Sequence, residues 1–182
     1  MAPTRILYVD DDDNDRELMK AAAEAALGRK GTIVCLSNVE EAIRYLIGEG
    51  HYSDRSIFPF PTLVITDLKM PQKDGLHLLE FLQHNPAWSV VPRVMVSSSA
   101  DADDVKKGFM LGASAFHDKS SYGGFAQLIP VLLGYWKLSE SPPIDETGRL
   151  EITNSRGKIG ERYPQPAGGD SMERVPERNQ RF

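Results

Sequence analysis

The 182 residues include one cysteine, Cys35, which excludes an internal disulfide framework and any multi-cysteine zinc site. Set in the β-rich run VCLS, that thiol reads as strand filling rather than chemistry. Basic residues are in the minority, 21 against 26 acids, for a net charge of −5. A dedicated nucleic-acid binder normally has the opposite balance, so no DNA partner is expected. No apolar run approaches the roughly 18 residues of a membrane span, so no membrane partner is expected either. The opening MAPTRILYVDDDD puts charges where a signal peptide needs an apolar stretch, which makes the cytoplasm the expected location. Glycine-rich phosphate loops of the GxGxxG or GxxxxGK type are missing. His51, His77, His84 and His117 share no metal-ligand spacing.

What is present is an alternation of strand and helix patterns. RILYVD (5–10), TIVCL (32–36), TLVITD (62–67), PRVMVSSS (92–99) and ASAFHD (113–118) read as short buried strands. Between and after them, helical spacing predicts helices over 14–27, 38–47, 75–83, 101–112 and 122–135. Asn38, with Glu41 three residues on, has the form of a capping box. Residues 48–61 read as a loop, and MPQKDG as a turn. Pro130 should kink or interrupt the last helix. Five strands alternating with five helices imply a doubly wound α/β domain with a parallel sheet covered on both faces. A body of about 140 residues buries about two-thirds of its unfolded surface, enough for a core without staples. From Ser139 the character changes. That stretch holds 5 of the 12 prolines, 7 basic and 8 acidic residues, with LEI (150–152) its only apolar knot. The division expected is therefore a folded domain over 1–138 and a disordered or extended tail over 139–182.

Open parallel sheets hold ligands outside the carboxyl ends of their strands. There the first strand delivers Asp10-Asp11-Asp12-Asp13, the third Asp67, the fourth Ser97-Ser98-Ser99, and Lys119 follows the fifth. Carboxylates this close repel unless a cation neutralises them. Hard oxygen donors of this kind suit Mg²⁺, which takes one or two carboxylates, waters and a phosphate oxygen. A lysine and a hydroxyl opposite would balance a transferring phosphoryl group, with Asp67 as the nucleophile. Asp12, Asp13 and Asp15 read as solvated acids favouring the positive end of the first helix. Phe125, Trp136 and Leu138 are candidates for core or interface.

Four segments, VDDDDND, VITDLKMPQKDGLHLLEFL, VMVSSSA and FHDKS, resemble in order the signature segments of response-regulator receiver domains of the CheY-like kind. The resemblance covers residues 4–137. Its nearest flavour is the stand-alone regulators paired with bacterial phytochrome-type histidine kinases, which share the DLxMPxKDG turn, the DDV helix start and the K-S junction. It implies a flavodoxin-like fold with strand order 2-1-3-4-5 and Mg²⁺-dependent phosphorylation by a sensor histidine kinase, here of the phytochrome photoreceptor type. Position by position, Asp67 resembles the phospho-acceptor, and Asp10 and Asp11 the acidic pair. With Asp67 and the Lys69 backbone carbonyl, those two would hold the metal. Ser97 stands at the switch hydroxyl, Lys119 at the phosphate-pairing lysine and Phe116 at the aromatic switch. Lys69 and Ser99 lie where dephosphorylation is tuned. Related stand-alone regulators often pair through the last helix, so a homodimer is implied. The family usually has Lys-Pro with a cis peptide where Ser120 follows Lys119 here, and a cis bond to a non-proline residue costs about 2.5–4 kcal/mol.

These readings make the chain a single-domain response regulator of a two-component phosphorelay, signalling by altered protein–protein binding rather than acting as a metabolic enzyme. Its catalysis would be limited to its own phosphorylation and dephosphorylation. The rival is a phosphorylation-independent scaffold on the same fold. A phosphatase with an aspartate nucleophile would want a second acid at position 69, which is lysine. A flavin carrier would want a phosphate-cradling loop.

Overall fold

The computed structural model describes residues 3–28, 31–98, 101–120, 123–139 and 143–150. The strands are β1 Thr4–Val9, β2 Gly31–Leu36, β3 Leu63–Asp67, β4 Arg93–Ser97 and β5 Ala115–Asp118. The helices are α1 Asp13–Leu27, α2 Val39–Ile47, α3 Gly75–His84, α4 Ala102–Met110 and α5 Phe125–Leu138. All four strand pairings are parallel, in the order β2-β1-β3-β4-β5, the flavodoxin-like arrangement expected.

Alternation along β1 explains why both sheet faces need helices. Ile6 and Tyr8 pack with Met19 and Ala23 of α1 and Ile129 and Leu133 of α5, whereas Leu7 and Val9 pack with Val39 and Leu46 of α2 and Leu78 and Leu82 of α3. A third cluster, Leu68, Leu79, Met95 and Ala113, fills the space beneath α4. β3 and β4 are buried along their lengths, and β1 from Arg5 onward, as expected for strands covered on both sides. Cys35 belongs to β2, and partial burial pushes its thiol up to about 11, in keeping with an inert strand residue.

Capping fixes the helix starts. Asp12 accepts from the amides of Asn14 and Asp15, so α1 begins one residue before the sequence pattern indicates. Asn38 accepts from Glu41 N–H at 2.8 Å, while the Glu41 carboxylate accepts from the Tyr52 hydroxyl at 2.8 Å in the 3₁₀ turn Gly50–Ser53. The loop 48–61 is tied down by Arg55, which donates to the carbonyls of Tyr45, Leu46 and Phe58.

Two expectations need correction. Pro130 does not interrupt α5, which runs unbroken from Phe125 to Leu138. The lost ladder bond would have ended on the carbonyl of Ala126, and both residues lie on the solvent side, where water can replace it. Secondly, residues 143–150 do not trail away. Asp145 accepts from Thr147 and Arg149 to form a tight turn, Ile144 bridges Leu150, and Ile144 is buried in the core beside β1. The backbone donors and acceptors here meet the body: Phe60 N–H donates to the Glu146 carbonyl at 2.8 Å, and Arg5 donates to the carbonyls of Ile144 and Asp145. Gly148 has φ 85° and sits so close to the Phe60 ring that a Cβ would come within 2.6 Å. The remainder of the expected tail, 151–182, lies outside the described residues. Among the described residues no helix is long and apolar enough to cross a membrane.

Candidate phospho-acceptor site

At the carboxyl edge of the sheet, β1 ends into Asp10, β3 ends in Asp67 and β4 in Ser97. All three are almost wholly buried, with exposures of 1%, 4% and 2%. Lys119, just past β5, reaches across the edge. Its ammonium lies 2.6 Å from Asp10 Oδ2, 2.8 Å from Asp15 Oδ2 and 2.9 Å from Asp67 Oδ1. Backbone bonds hold it there: Lys119 N–H donates to the Ser97 carbonyl at 2.9 Å, and Asp118 accepts from Ser120. The Lys119–Ser120 peptide is trans, since the described residues contain no cis bond.

Both oxygens of Asp67 are engaged. Oδ1 faces Lys119, and Oδ2 accepts from the backbone N–H of Lys69 at 2.7 Å. That amide belongs to the loop 68–74, pinned by Leu68 N–H to the Val96 carbonyl and by Gly75 N–H to the Leu68 carbonyl. A Cβ on Gly75 would stand 2.2 Å from the Asp67 carbonyl oxygen, so only glycine lets α3 start this close to the end of β3. Within the loop Gln72 has φ 66°, and Lys73 N–H donates to the Pro71 carbonyl at 2.8 Å, a γ-turn with a non-glycine residue in the left-handed region. Backbone strain of this kind collects beside functional groups.

The electrostatics follow from burial and crowding. Burial raises the Asp67 carboxyl above its usual range and Asp10 adds to the rise, while Lys119 and the Lys69 amide oppose it without cancelling it. Burial alone would lower the Lys119 ammonium, yet its bonds to Asp10, Asp15 and Asp67 raise it above an ordinary lysine. Tyr8, two residues before Asp10 on the same strand face, donates its hydroxyl to Asp10, and burial together with the Asp10 charge keeps that phenol protonated. Three carboxylates thus share one ammonium, with Asp11 exposed beside them. A cluster left negative in this way, built of hard oxygens, fits a divalent cation such as Mg²⁺, which takes one or two carboxylates and keeps several waters. Among the described residues no group of three or more ligating side chains forms a ready-made cage.

Of the residues singled out from sequence, the fold therefore brings together Asp10, Asp67 and Lys119; Lys69, expected to offer its carbonyl, meets Asp67 through its amide. Ser97 is at the adjoining strand end, one residue beyond the Asp67–Val96 pair. Asp11 is next to the cluster on the solvent side, and Phe116 of β5 packs against the Leu68–Met95 cluster. Ser99 lies outside the described residues. Three participants were not anticipated. Asp15, expected to be solvated, pairs with Lys119. Tyr8 was legible from strand period, since residues i and i+2 share a face. Asp104, buried at the first turn of α4, takes the Lys69 side chain in an ion pair, and no local pattern could signal that pairing.

A doubly wound parallel sheet with buried acids, a hydroxyl and a lysine at one edge defines a receiver class of protein. The profile of the family described as "Response regulator receiver domain" matches residues 6–124, and the chain belongs to that family as a response regulator of two-component systems. It is 28% identical over 118 residues to response regulator Rcp1 of Synechocystis sp. (strain ATCC 27184 / PCC 6803 / Kazusa), covering 65% of this chain and 78% of the relative. In structure it is similar to the phosphorylated cyanobacterial phytochrome response regulator RcpA, with TM-score 0.70 and 26% identity, covering 78% of this chain and 100% of that one. The Mn²⁺-bound form of Rcp1 shares the fold, with TM-score 0.68, 24% identity and the same coverages.

Proposed function

We propose that Asp67 accepts a phosphoryl group from the phosphohistidine of a sensor histidine kinase. The observation carrying this reading is a buried carboxylate held from both sides, by Lys119 Nζ at 2.9 Å and Lys69 N–H at 2.7 Å, beside a second buried acid. In the transfer a carboxylate oxygen bonds to phosphorus as the P–N bond to imidazole breaks, and the imidazole leaves with the electron pair. Asp10, Asp11, Asp67 and the Lys69 carbonyl would hold Mg²⁺, which when bound supplies charge compensation for the phosphoryl oxygens. The Lys119 ammonium is already on an oxygen of Asp67 and pairs with the incoming group.

A phosphoryl group adds about two negative charges at neutral pH. That charge draws the Ser97 hydroxyl and Lys119 toward Asp67, and Phe116 follows, which alters the surface formed by α4, β5 and α5. The phosphoryl group thereby biases a pre-existing equilibrium between two surfaces. Catalysis is limited to the protein's own phosphorylation and dephosphorylation, with Lys69 and Ser99 tuning the latter. RcpA is described as phosphorylated and as a phytochrome regulator, which supports both the covalent reading and a phytochrome-type kinase as partner. Exposed Val131, Tyr135 and Leu138 (the last 90% exposed) give α5 an apolar face suited to a homodimer. The receiver unit is read as 1–138, with 143–150 docked against it through Ile144 and the acceptors of Arg5.

The test is incubation with acetyl phosphate, with and without Mg²⁺, for wild type and Asp67→Asn, read by intact mass. One Mg²⁺-dependent phosphoryl adduct, absent in the variant, is the expected result. No adduct under conditions that label an active control receiver would favour the phosphorylation-independent scaffold.

A further inference from the structure

The loop that touches Asp67 is anchored at a second point, outside the cluster. Lys69 donates its backbone N–H to Asp67 Oδ2, while its side chain turns the other way and pairs its ammonium with Asp104 of α4. Asp104 is itself buried at 8% exposure. Its backbone N–H is taken by the helix cap Asp101 at 2.8 Å, so the helix end is closed without help from the Asp104 carboxylate. Lys107, 4.0 Å away on the same helix, is the further cation near it. Lys69 makes no ion pair with Asp67, although the two residues are joined through the backbone amide. A flexible cation two residues from the acceptor is thus held away from the acceptor oxygens by an acid 35 residues further along the chain.

We infer that Asp104 is a positioning residue: by holding the Lys69 ammonium on α4, it keeps the approach to a phosphorylated Asp67 open to water and so sets how long the phosphoryl group survives. This rests on Asp67 being the phospho-acceptor. Loss of the group is hydrolysis: a water oxygen bonds to phosphorus, the P–O bond to Asp67 breaks with its electron pair returning to the carboxylate, and the water proton passes to solvent. An ammonium released from Asp104 finds its strongest nearby acceptor in the phosphoryl oxygens. Seated there, its stem occupies the space that the attacking water needs. Neutralising Asp104 therefore lengthens the lifetime, provided Lys69 is present.

The experiment uses the full chain, loaded with acetyl phosphate and Mg²⁺, then desalted, with the decay of the adduct followed by intact mass. The variants are Asp104→Asn, Asp104→Ser, Lys69→Met and Asp104→Asn combined with Lys69→Met. Asp104→Asn and Asp104→Ser lengthen the half-life by about threefold or more, the rate equivalent of one half-exposed ion pair. In the Lys69→Met background Asp104→Asn adds nothing. An equal effect in both backgrounds, no effect at all, or loss of folding in both Asp104 variants overturns the inference and leaves Asp104 a structural acid. If wild type takes no phosphoryl group, it is the acceptor reading of Asp67 that fails, and the two failures are distinct.

Discussion

At the carboxyl ends of the strands three carboxylates gather round one ammonium. At the amino ends of the same sheet, two guanidinium groups are buried among backbone carbonyls. Arg93, the first residue of β4, donates to the carbonyls of Val91, Leu79, Leu111 and Ser89. Arg5 of β1 donates to those of Phe60, Ile144 and Asp145. Both arrangements bury charge, but they differ in what they leave over. The amino edge uses rigid, many-pronged donors to close the loose ends of loops and helices, so each added contact increases stability. At the carboxyl edge Asp10, Asp15 and Asp67 carry more negative charge than the Lys119 ammonium they share can balance, so the cluster is completed by something that arrives. Function and stability are placed at opposite ends of strands that are only four to six residues long.

The most severe way to break the amino edge is Arg93→Met. Its guanidinium satisfies the carbonyl at the end of α4 and one inside α3, and it packs 2.9 Å from where a Cβ on Gly112 would stand. Removing it strands several buried acceptors, at about 1–3 kcal/mol each for those that water cannot reach. Urea denaturation should register a loss of about 4 kcal/mol. A loss under about 1 kcal/mol would mean that water already serves those carbonyls.

A smaller cut at the same edge is a chain ended after residue 142. Arg5 then loses two carbonyl acceptors, Phe60 N–H loses the Glu146 carbonyl, and Ile144 no longer fills its place in the core. Burial of one isoleucine and the lost hydrogen bonds together suggest about 2–3 kcal/mol, again read from the urea midpoint. Uptake of a phosphoryl group from acetyl phosphate should persist, because nothing in 143–150 touches the acidic cluster. Loss of uptake without loss of folding would show that the two ends are coupled.

The contrast between edges also explains what could be read before the structure. Apolar runs covered on two faces, caps such as Asn38 and the turn DLKMPQKDG are local, so strands, helices and the acceptor loop were all legible, as was the meeting of Asp10, Asp67 and Lys119 once the strand order was given. Partners fixed by tertiary approach were not. Nothing near Asp104 announces Lys69, and nothing near Arg5 announces Ile144, 139 residues away. The docking of 143–150 was hidden for the same reason: its composition is that of a tail, and its order comes from carbonyls that a buried arginine needs. Pro130 misled because a rule about backbone bonds says nothing of which side of the helix faces water.

The finest distinction between the edges is a matter of sign, and Asp67→Asn probes it. Burial gives Asp67 a folded-state pKa above its ordinary 3.8. The folded protein therefore binds that proton more readily than the unfolded chain, and stability from this group is fully present below the ordinary value and lost as pH rises through the folded one. At neutral pH the ionised carboxylate is a net burden on the fold. Asparagine removes the burden while Lys119 keeps Asp10 and Asp15 as partners. The variant should have the higher urea midpoint at pH 7, with the gap closing as the pH falls through the carboxylate range. A lower midpoint at pH 7 would mean that the Asp67–Lys119 pair outweighs the cost of burying the charge. The carboxyl edge would then be held together by its ions much as the amino edge is by its hydrogen bonds, and its readiness to receive another charged group would need a different source.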